Sequence, residues 1–134
     1  MLRMLLAMLL LFISLIPAHA ERGLKFIALD GDGKRIALVI GNSNYTASPL
    51  KNPANDAEDL ATTLRSLGFE VITRKNASQR EMKQAVREFG QKLRGAEAGL
   101  FFFAGHGLQV RGINYLVPVG GEIESEADAE DLSV

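Results

Sequence analysis

The sequence predicts an α/β protein in which helices cover both faces of a mostly parallel sheet. Three short apolar segments alternate with two amphipathic helical patterns along the chain. Segments that are apolar at every position suit strands buried on both faces, and helices between such strands act as crossovers. The chain has 134 residues and a net charge of −1. This balance gives no reason to expect nucleic acid or an anionic membrane surface as a partner.

The first 20 residues have the pattern of a secretory signal peptide. Arg3 supplies a positive charge, Met4 to Ile16 form a short apolar run, and Ala18-His19-Ala20 matches a cleavage site. A membrane-spanning helix needs about 20 apolar residues. The shorter run therefore favours cleavage after Ala20 over an uncleaved anchor. We expect an exported protein, periplasmic or secreted, with no stable membrane partner once the signal is removed.

The first predicted strand and helix follow a short lead-in, residues 21–34, which contains a turn at residues 30–33. Residues 36–40 are uninterruptedly apolar and form the strand. Asn52 as a cap and Pro53 as the first helical residue begin the helix. Its predicted buried stripe is Ala57, Leu60, Ala61, Leu64 and Leu67.

The second strand and helix show the same alternation. Residues 69–73 are predicted to form a strand, and Ser78 with Glu81 forms a capping box that opens the helix. Gly95 closes this helix. Its predicted buried stripe is Met82, Ala85, Val86, Phe89 and Leu93.

The third strand, residues 99–104, precedes a predicted small hairpin within residues 108–119. The acidic tail, residues 122–131, is expected to be a loop. A sheet of only three strands would leave the third strand with an uncovered apolar edge, which native proteins avoid. The sequence therefore predicts an interrupted domain, the first half of a larger one.

Two segments bring polar chemistry to the carboxyl ends of the predicted strands, where parallel sheets form their sites. One is Gly41 to Tyr45 and the other is Ala104 to Gly107, which contains His106. A lone histidine is often satisfied by a backbone carbonyl, but this one stands between two glycines at a strand end. A general acid or base is the better functional role, since zinc needs three or four clustered ligands. The sequence thus predicts no metal and no cofactor, and Ser43 lies outside any nucleophile-elbow motif.

Five segments in order resemble the large-subunit domain of caspases, and most closely bacterial metacaspase-like members. These segments are Arg35–Tyr45, Leu50–Leu60, Leu67–Val71, Phe102–Gly107 and Asn114–Pro118. The resemblance implies a caspase-like three-layer α/β sandwich, of which residues 35–134 form the N-terminal part, ending before the strand that bears the nucleophile.

The resemblance also implies a cysteine-type endopeptidase with a His-Cys dyad. His106 takes the place of the catalytic histidine, and the backbone N–H of Gly107 takes the place of one oxyanion donor. Caspases place their cysteine about 50 residues after the histidine. This chain contains no cysteine, so the polypeptide alone is expected to be inactive. The stretch from Ser48 to Lys51 lacks the arginine with which caspases bind aspartate, so a protein or peptide substrate with a basic P1 residue is expected.

The sequence is also compatible with two further classes of function. The absence of cysteine also fits a catalytically inactive caspase-fold protein that acts as a binding module. General fold logic allows a small-ligand or nucleotide-binding domain, but the loop at residues 41–45 matches neither common phosphate-binding pattern. The oligomeric state is not predicted.

Overall fold

The computed structural model describes residues 19–121 and 126–134. The predicted signal peptide lies outside these residues, except for His19 and Ala20. The elements in chain order are β1 (His19–Ala28), β2 (Arg35–Gly41), α1 (Pro53–Ser66), β3 (Glu70–Lys75), α2 (Gln79–Lys92), β4 (Ala98–Val110), β5 (Ile113–Leu116) and α3 (Glu126–Leu132).

A single sheet with the strand order β1-β4-β2-β3 organises the fold. Strand β2 pairs parallel with both β3 and β4. Strand β1 runs antiparallel to β4 on its other edge, and β5 pairs antiparallel with the last residues of β4. The predicted α/β class with a parallel central sheet is therefore confirmed.

The two long helices lie on opposite faces of the sheet. Because side chains alternate along a strand, Ala37 and Val39 of β2 face α1, while Ile36, Leu38 and Ile40 face α2. The helices contribute their predicted apolar stripes to these two cores. Leu67 and Val86 were predicted to be buried and are 56% and 42% exposed, because Leu67 follows the last residue of α1 and Val86 lies at the margin of the α2 stripe.

The lead-in segment contains a strand that the sequence analysis did not predict. Strand β1 pairs with β4 over ten residues, from His19 opposite Gly107 to Ala28 opposite Ala98. The expectation that the third apolar strand has an uncovered edge is therefore wrong. That strand is β4, and it lies between β1 and β2.

Two local expectations also differ from the structure. Part of the acidic tail forms the short helix α3, because Ala129 packs fully buried against an apolar cluster that includes Leu108 and Val117. Asn52 precedes α1 but its side chain makes no capping hydrogen bond. The capping box of Ser78 and Glu81 is present as predicted.

Candidate active site

The two polar segments predicted to meet at the carboxyl end of the sheet do lie together. The backbone N–H of Asn42 donates to the carbonyl of Ala104 at 2.8 Å. The backbone N–H of His106 donates to the hydroxyl of Tyr45 at 3.0 Å. The loop after β2 and the second half of β4 thus form one hydrogen-bonded unit around the histidine.

His106 lies within β4, whereas the sequence predicted it directly after the strand. Pairing of β4 with β2 ends at Ala104, and pairing with β5 begins at Gly107. Strand β4 continues because β5 folds back onto it through the turn at Arg111 and Gly112. His106 therefore occupies the point where the neighbour of β4 changes from β2 to β5.

The imidazole of His106 is oriented by one backbone carbonyl. Its Nε2 lies 2.7 Å from the carbonyl oxygen of Ser48, which can only accept a hydrogen bond. Nε2 must therefore carry a proton, which leaves the lone pair of the neutral ring on Nδ1. Nδ1 is buried and has no hydrogen-bond partner among residues 19–121 and 126–134. Nδ1 is thus the ring nitrogen that carries the free lone pair.

Ser48 presents its carbonyl from a left-handed backbone conformation, with φ at 55°. A residue other than glycine adopts this conformation at a cost of about 1 kcal/mol or more, and such costs concentrate at functional sites. In the loop after β2, this unfavourable conformation occurs at Ser48, the residue whose carbonyl binds the His106 ring.

The hydroxyl of Tyr45 is inserted into the ladder between β4 and the residue that follows β5. Val117 donates its N–H to the carbonyl of His106 at 2.9 Å, so these two residues form a hydrogen-bonded antiparallel pair. The reciprocal bond, from His106 N–H to the Val117 carbonyl, is not made directly. The Tyr45 hydroxyl accepts from His106 and donates to the Val117 carbonyl at 2.8 Å. One hydroxyl therefore bridges the two backbones beside the imidazole.

Tyr45 also contacts the histidine ring, with 4.3 Å between the ring centroids. Burial raises the pKa of Tyr45 to about 12, so its hydroxyl keeps its proton at neutral pH. A Cβ atom on Gly105 would lie 2.5 Å from this hydroxyl, so glycine is required there by close approach. This explains the glycine before His106 without a ligand.

Gly107 lies between β5 and β1, opposite Leu116 on one side and His19 on the other. Backbone groups of successive strand residues point to opposite edges. Because the His106 carbonyl is bonded to Val117, the N–H of Gly107 faces β1. The predicted oxyanion role of Gly107 therefore stays a prediction, and in this structure its amide faces a paired strand.

Three polar side chains in or beside the loop after β2, those of Asn42, Ser43 and Asn76, bond to backbone groups rather than to a ligand. Asn42 accepts from the N–H of Ala77 at 2.8 Å, and Asn76 accepts from the N–H groups of Ser43 and Asn44. Ser43 Oγ accepts from the N–H of Ala54 at 2.9 Å, near the start of α1. Each of these side chains has a structural partner, which explains their presence without a phosphate.

Tyr45, Ser48 and Val117 are the site residues that sequence reasoning missed as individual contributors. Tyr45 lay within a segment already singled out, and the glycine before His106 was a signal that another group approaches there. The roles of Ser48 and Val117 depend on their carbonyl groups, which no side-chain pattern reports. No cluster of three or more metal-ligating side chains occurs in the described part of the chain. None of its helices is long and apolar enough to cross a membrane.

The described residues thus form an α/β domain with a carbonyl-anchored histidine near the carboxyl end of its parallel strands. The sequence pattern of the caspase domain family matches residues 34–131. The chain belongs to this family.

Individual relatives agree with this assignment. Human (Homo sapiens) mucosa-associated lymphoid tissue lymphoma translocation protein 1 is 41% identical over 86 residues, which cover 63% of this chain and 10% of that protein. Its mouse (Mus musculus) homologue is 40% identical over 86 residues, again 63% and 10% of the two chains. Caspase a of Danio rerio is 34% identical over 61 residues, 44% of this chain and 16% of that protein. The chain thus spans about a tenth of the length of the first two relatives.

Proposed function

We propose that this chain is the histidine-bearing part of an exported caspase-like cysteine endopeptidase. The observation that carries the proposal is the His106 ring, whose Nε2 is bonded to the Ser48 carbonyl while Nδ1 is left without a partner. A ring held in this way can act as a base at a single nitrogen. The cysteine must come from outside these 134 residues, because the chain contains none.

The chemistry follows from this geometry. Nδ1 accepts the proton of the cysteine thiol, and the thiolate attacks the carbonyl carbon of the scissile peptide bond. The protonated imidazole then gives its proton to the amine nitrogen as the carbon–nitrogen bond breaks, which leaves a thioester. Water attacks the thioester after losing a proton to Nδ1, and the acid product and thiolate are released. The N–H of Gly107 is the proposed donor to the oxyanion.

A basic P1 residue is the proposed substrate preference. The loop that contributes Ser48 lies beside the histidine, and residues 48–51 include no arginine that could bind an acidic side chain. We therefore propose cleavage after Arg or Lys, in a periplasmic or secreted setting set by the N-terminal segment.

The test uses the native protein purified from its own cells. We expect cleavage of peptides after Arg or Lys that is blocked by thiol alkylation and lost in His106→Ala. Val86→Ala, on the exposed side of α2, is the matched control and should cleave normally. Native protein that shows no thiol-dependent cleavage while its circular dichroism is intact would contradict the proposal.

A second candidate is an inactive caspase-fold protein that binds a protein partner. The observation that favours it is the absence of cysteine from the 134 residues. Thiol-dependent cleavage by the native protein, lost in His106→Ala, would exclude this alternative. Stable capture of one protein by both wild type and His106→Ala, without cleavage by either, would support it.

A further inference from the structure

One edge of β4 is available to only one strand at a time. On one side, β4 pairs with β2 up to Ala104 and with β5 from Gly107. On the other side it pairs with β1 along its length from Ala98 to Gly107. Any further strand that joins β4 beside His106 must therefore take the place of β1.

Strand β1 is held mainly by its backbone. Among its described side chains only Ile27 is partly buried, and Leu24 and Phe26 are 60% and 57% exposed. Across from it, Phe101 and Phe102 of β4 are only partly buried. A strand with little buried apolar surface opens locally at a small free-energy cost. A strand that is apolar on both faces, with a covering helix, would bury these two phenylalanines better.

The first residues of β1 cover the two site residues named above. Ala20 lies opposite His106, and His19 lies opposite Gly107. The N–H of Gly107 points toward β1, and an amide that is paired in a ladder cannot donate to an oxyanion. The Gly107 amide is therefore unavailable to an oxyanion while β1 is in place.

We propose that β1 is a self-inhibitory strand, because it occupies the one edge of β4 that a cysteine-bearing strand could take beside His106. This inference rests on the proposed function. The partner that replaces β1 is an extended strand, apolar on both faces and followed by a cysteine. This strand runs parallel to β4. The reason is that β2, β3 and β4 all have their carboxyl ends at the end of the sheet where His106 lies, so a parallel strand brings the cysteine that follows it to the same end.

Signal cleavage has a direct consequence in this scheme. Cleavage after Ala20 removes His19 and Ala20, the residues opposite Gly107 and His106. The rest of β1 keeps its pairing, starting with Glu21 opposite Gly105. Processing during export would then open the active end of β4 and leave the remainder of the edge covered until the partner strand displaces it.

Hydrogen exchange on the full 134-residue chain tests whether β1 covers Gly107. The N–H of residue 21 faces β4 and that of residue 20 faces away, so proline removes a ladder bond at position 21 and none at position 20. We expect the Gly105 and Gly107 amides to exchange at least tenfold faster in Glu21→Pro than in Ala20→Pro or wild type. The Phe102 amide, which faces β2, should be unchanged and reports on global unfolding.

Equal exchange of Gly107 in the two proline variants, with Phe102 still protected, would overturn the proposal. Competition is tested on the native peptidase with a synthetic peptide of residues 19–28, and a scrambled peptide is the control. We expect loss of at least half of the cleavage, and undiminished cleavage would overturn the inhibitory role. If the native protein cleaves nothing, the proposed function and the inhibitory role fall together, whereas the exchange result still decides whether β1 covers Gly107.

Discussion

At the scale of single residues, the site depends on Tyr45 as much as on His106. Its hydroxyl takes the position of a ladder hydrogen bond between His106 and Val117, and its ring supports the imidazole. Its removal leaves the buried N–H of His106 without its partner, while the Val117 carbonyl keeps a bond from Asn42 Nδ2 at 3.3 Å. Each unsatisfied buried group costs about 1–3 kcal/mol.

We therefore predict that Tyr45→Phe lowers the free energy of unfolding by about 2 kcal/mol at pH 7. Urea denaturation of wild type and variant, followed by circular dichroism, measures this difference. A loss below about 0.5 kcal/mol, the scale of an ordinary surface substitution, would show that the hydroxyl bridge is dispensable.

Because of the same hydroxyl, we predict that the free energy of unfolding decreases as the pH rises above 10. Burial raises the folded-state pKa of Tyr45 to about 12 from 10.0. A raised pKa stabilises the folded state below pH 10, and this contribution is lost as the pH rises from 10 to 12. The stability difference between wild type and Tyr45→Phe should therefore shrink over that interval. A difference that stays constant from pH 8 to 12 would contradict the burial of this phenol.

The sequence was most informative about His106 and least informative about what holds it. A histidine between two glycines at the end of an apolar strand is visible as a pattern. The Ser48 carbonyl and the inserted Tyr45 hydroxyl are not, because both depend on how the loop after β2 folds over β4. Backbone acceptors have no residue signature.

At the scale of elements, α1 begins with a cap that comes from another part of the chain. Ser43 accepts from the N–H of Ala54, the second residue of the helix, while Asn52 makes no side-chain cap. This reverses the expectation from the Asn-Pro pair, because the buried loop after β2 already supplies an acceptor at that helix end.

We predict that Ser43→Ala destabilises the fold by about 1 kcal/mol, the typical value of a helix cap. Asn52→Ala is the matched control and should change stability by less than about 0.5 kcal/mol. Thermal or urea unfolding of the two variants decides between them. If Asn52→Ala lowered the free energy of unfolding more than Ser43→Ala, Asn52 and not Ser43 would be the residue that caps α1.

The elements that the sequence predicted well are those with uniform patterns. The parallel strands and α1 and α2 were recognised because their apolar residues recur at every position or at helical spacing. Strand β1 was missed because its apolar residues, such as Leu24 and Phe26, are interspersed with charged residues and a glycine, so no uniform apolar run marks it. Its pairing with β4 is also a long-range contact, which no local pattern reports. Helix α3 was missed because its sequence is acidic and, among its described side chains, only Ala129 is buried.

At the scale of the whole molecule, the three-layer core and the candidate site at the carboxyl end of the sheet follow from one arrangement. The sheet brings the loop after β2 and the second half of β4 to the same end, and α1 and α2 bury its two faces. The part of the sheet around β1 is less well covered, since the side chains of Leu24 and Phe26 are exposed to solvent. The histidine, its carbonyl anchor and its tyrosine bridge all belong to this chain, whereas the cysteine of the proposed mechanism does not, because these 134 residues contain none.

The tautomer of His106 is the most direct test of this account. After cleavage following Ala20, His106 is the one imidazole in the remaining sequence, so the ¹⁵N chemical shifts of its ring can be assigned without ambiguity. At a pH where the ring is neutral, we expect a protonated Nε2 bonded to the Ser48 carbonyl and an unprotonated Nδ1. A proton on Nδ1 would contradict the account, because the nitrogen proposed to accept the thiol proton would then have no lone pair to offer.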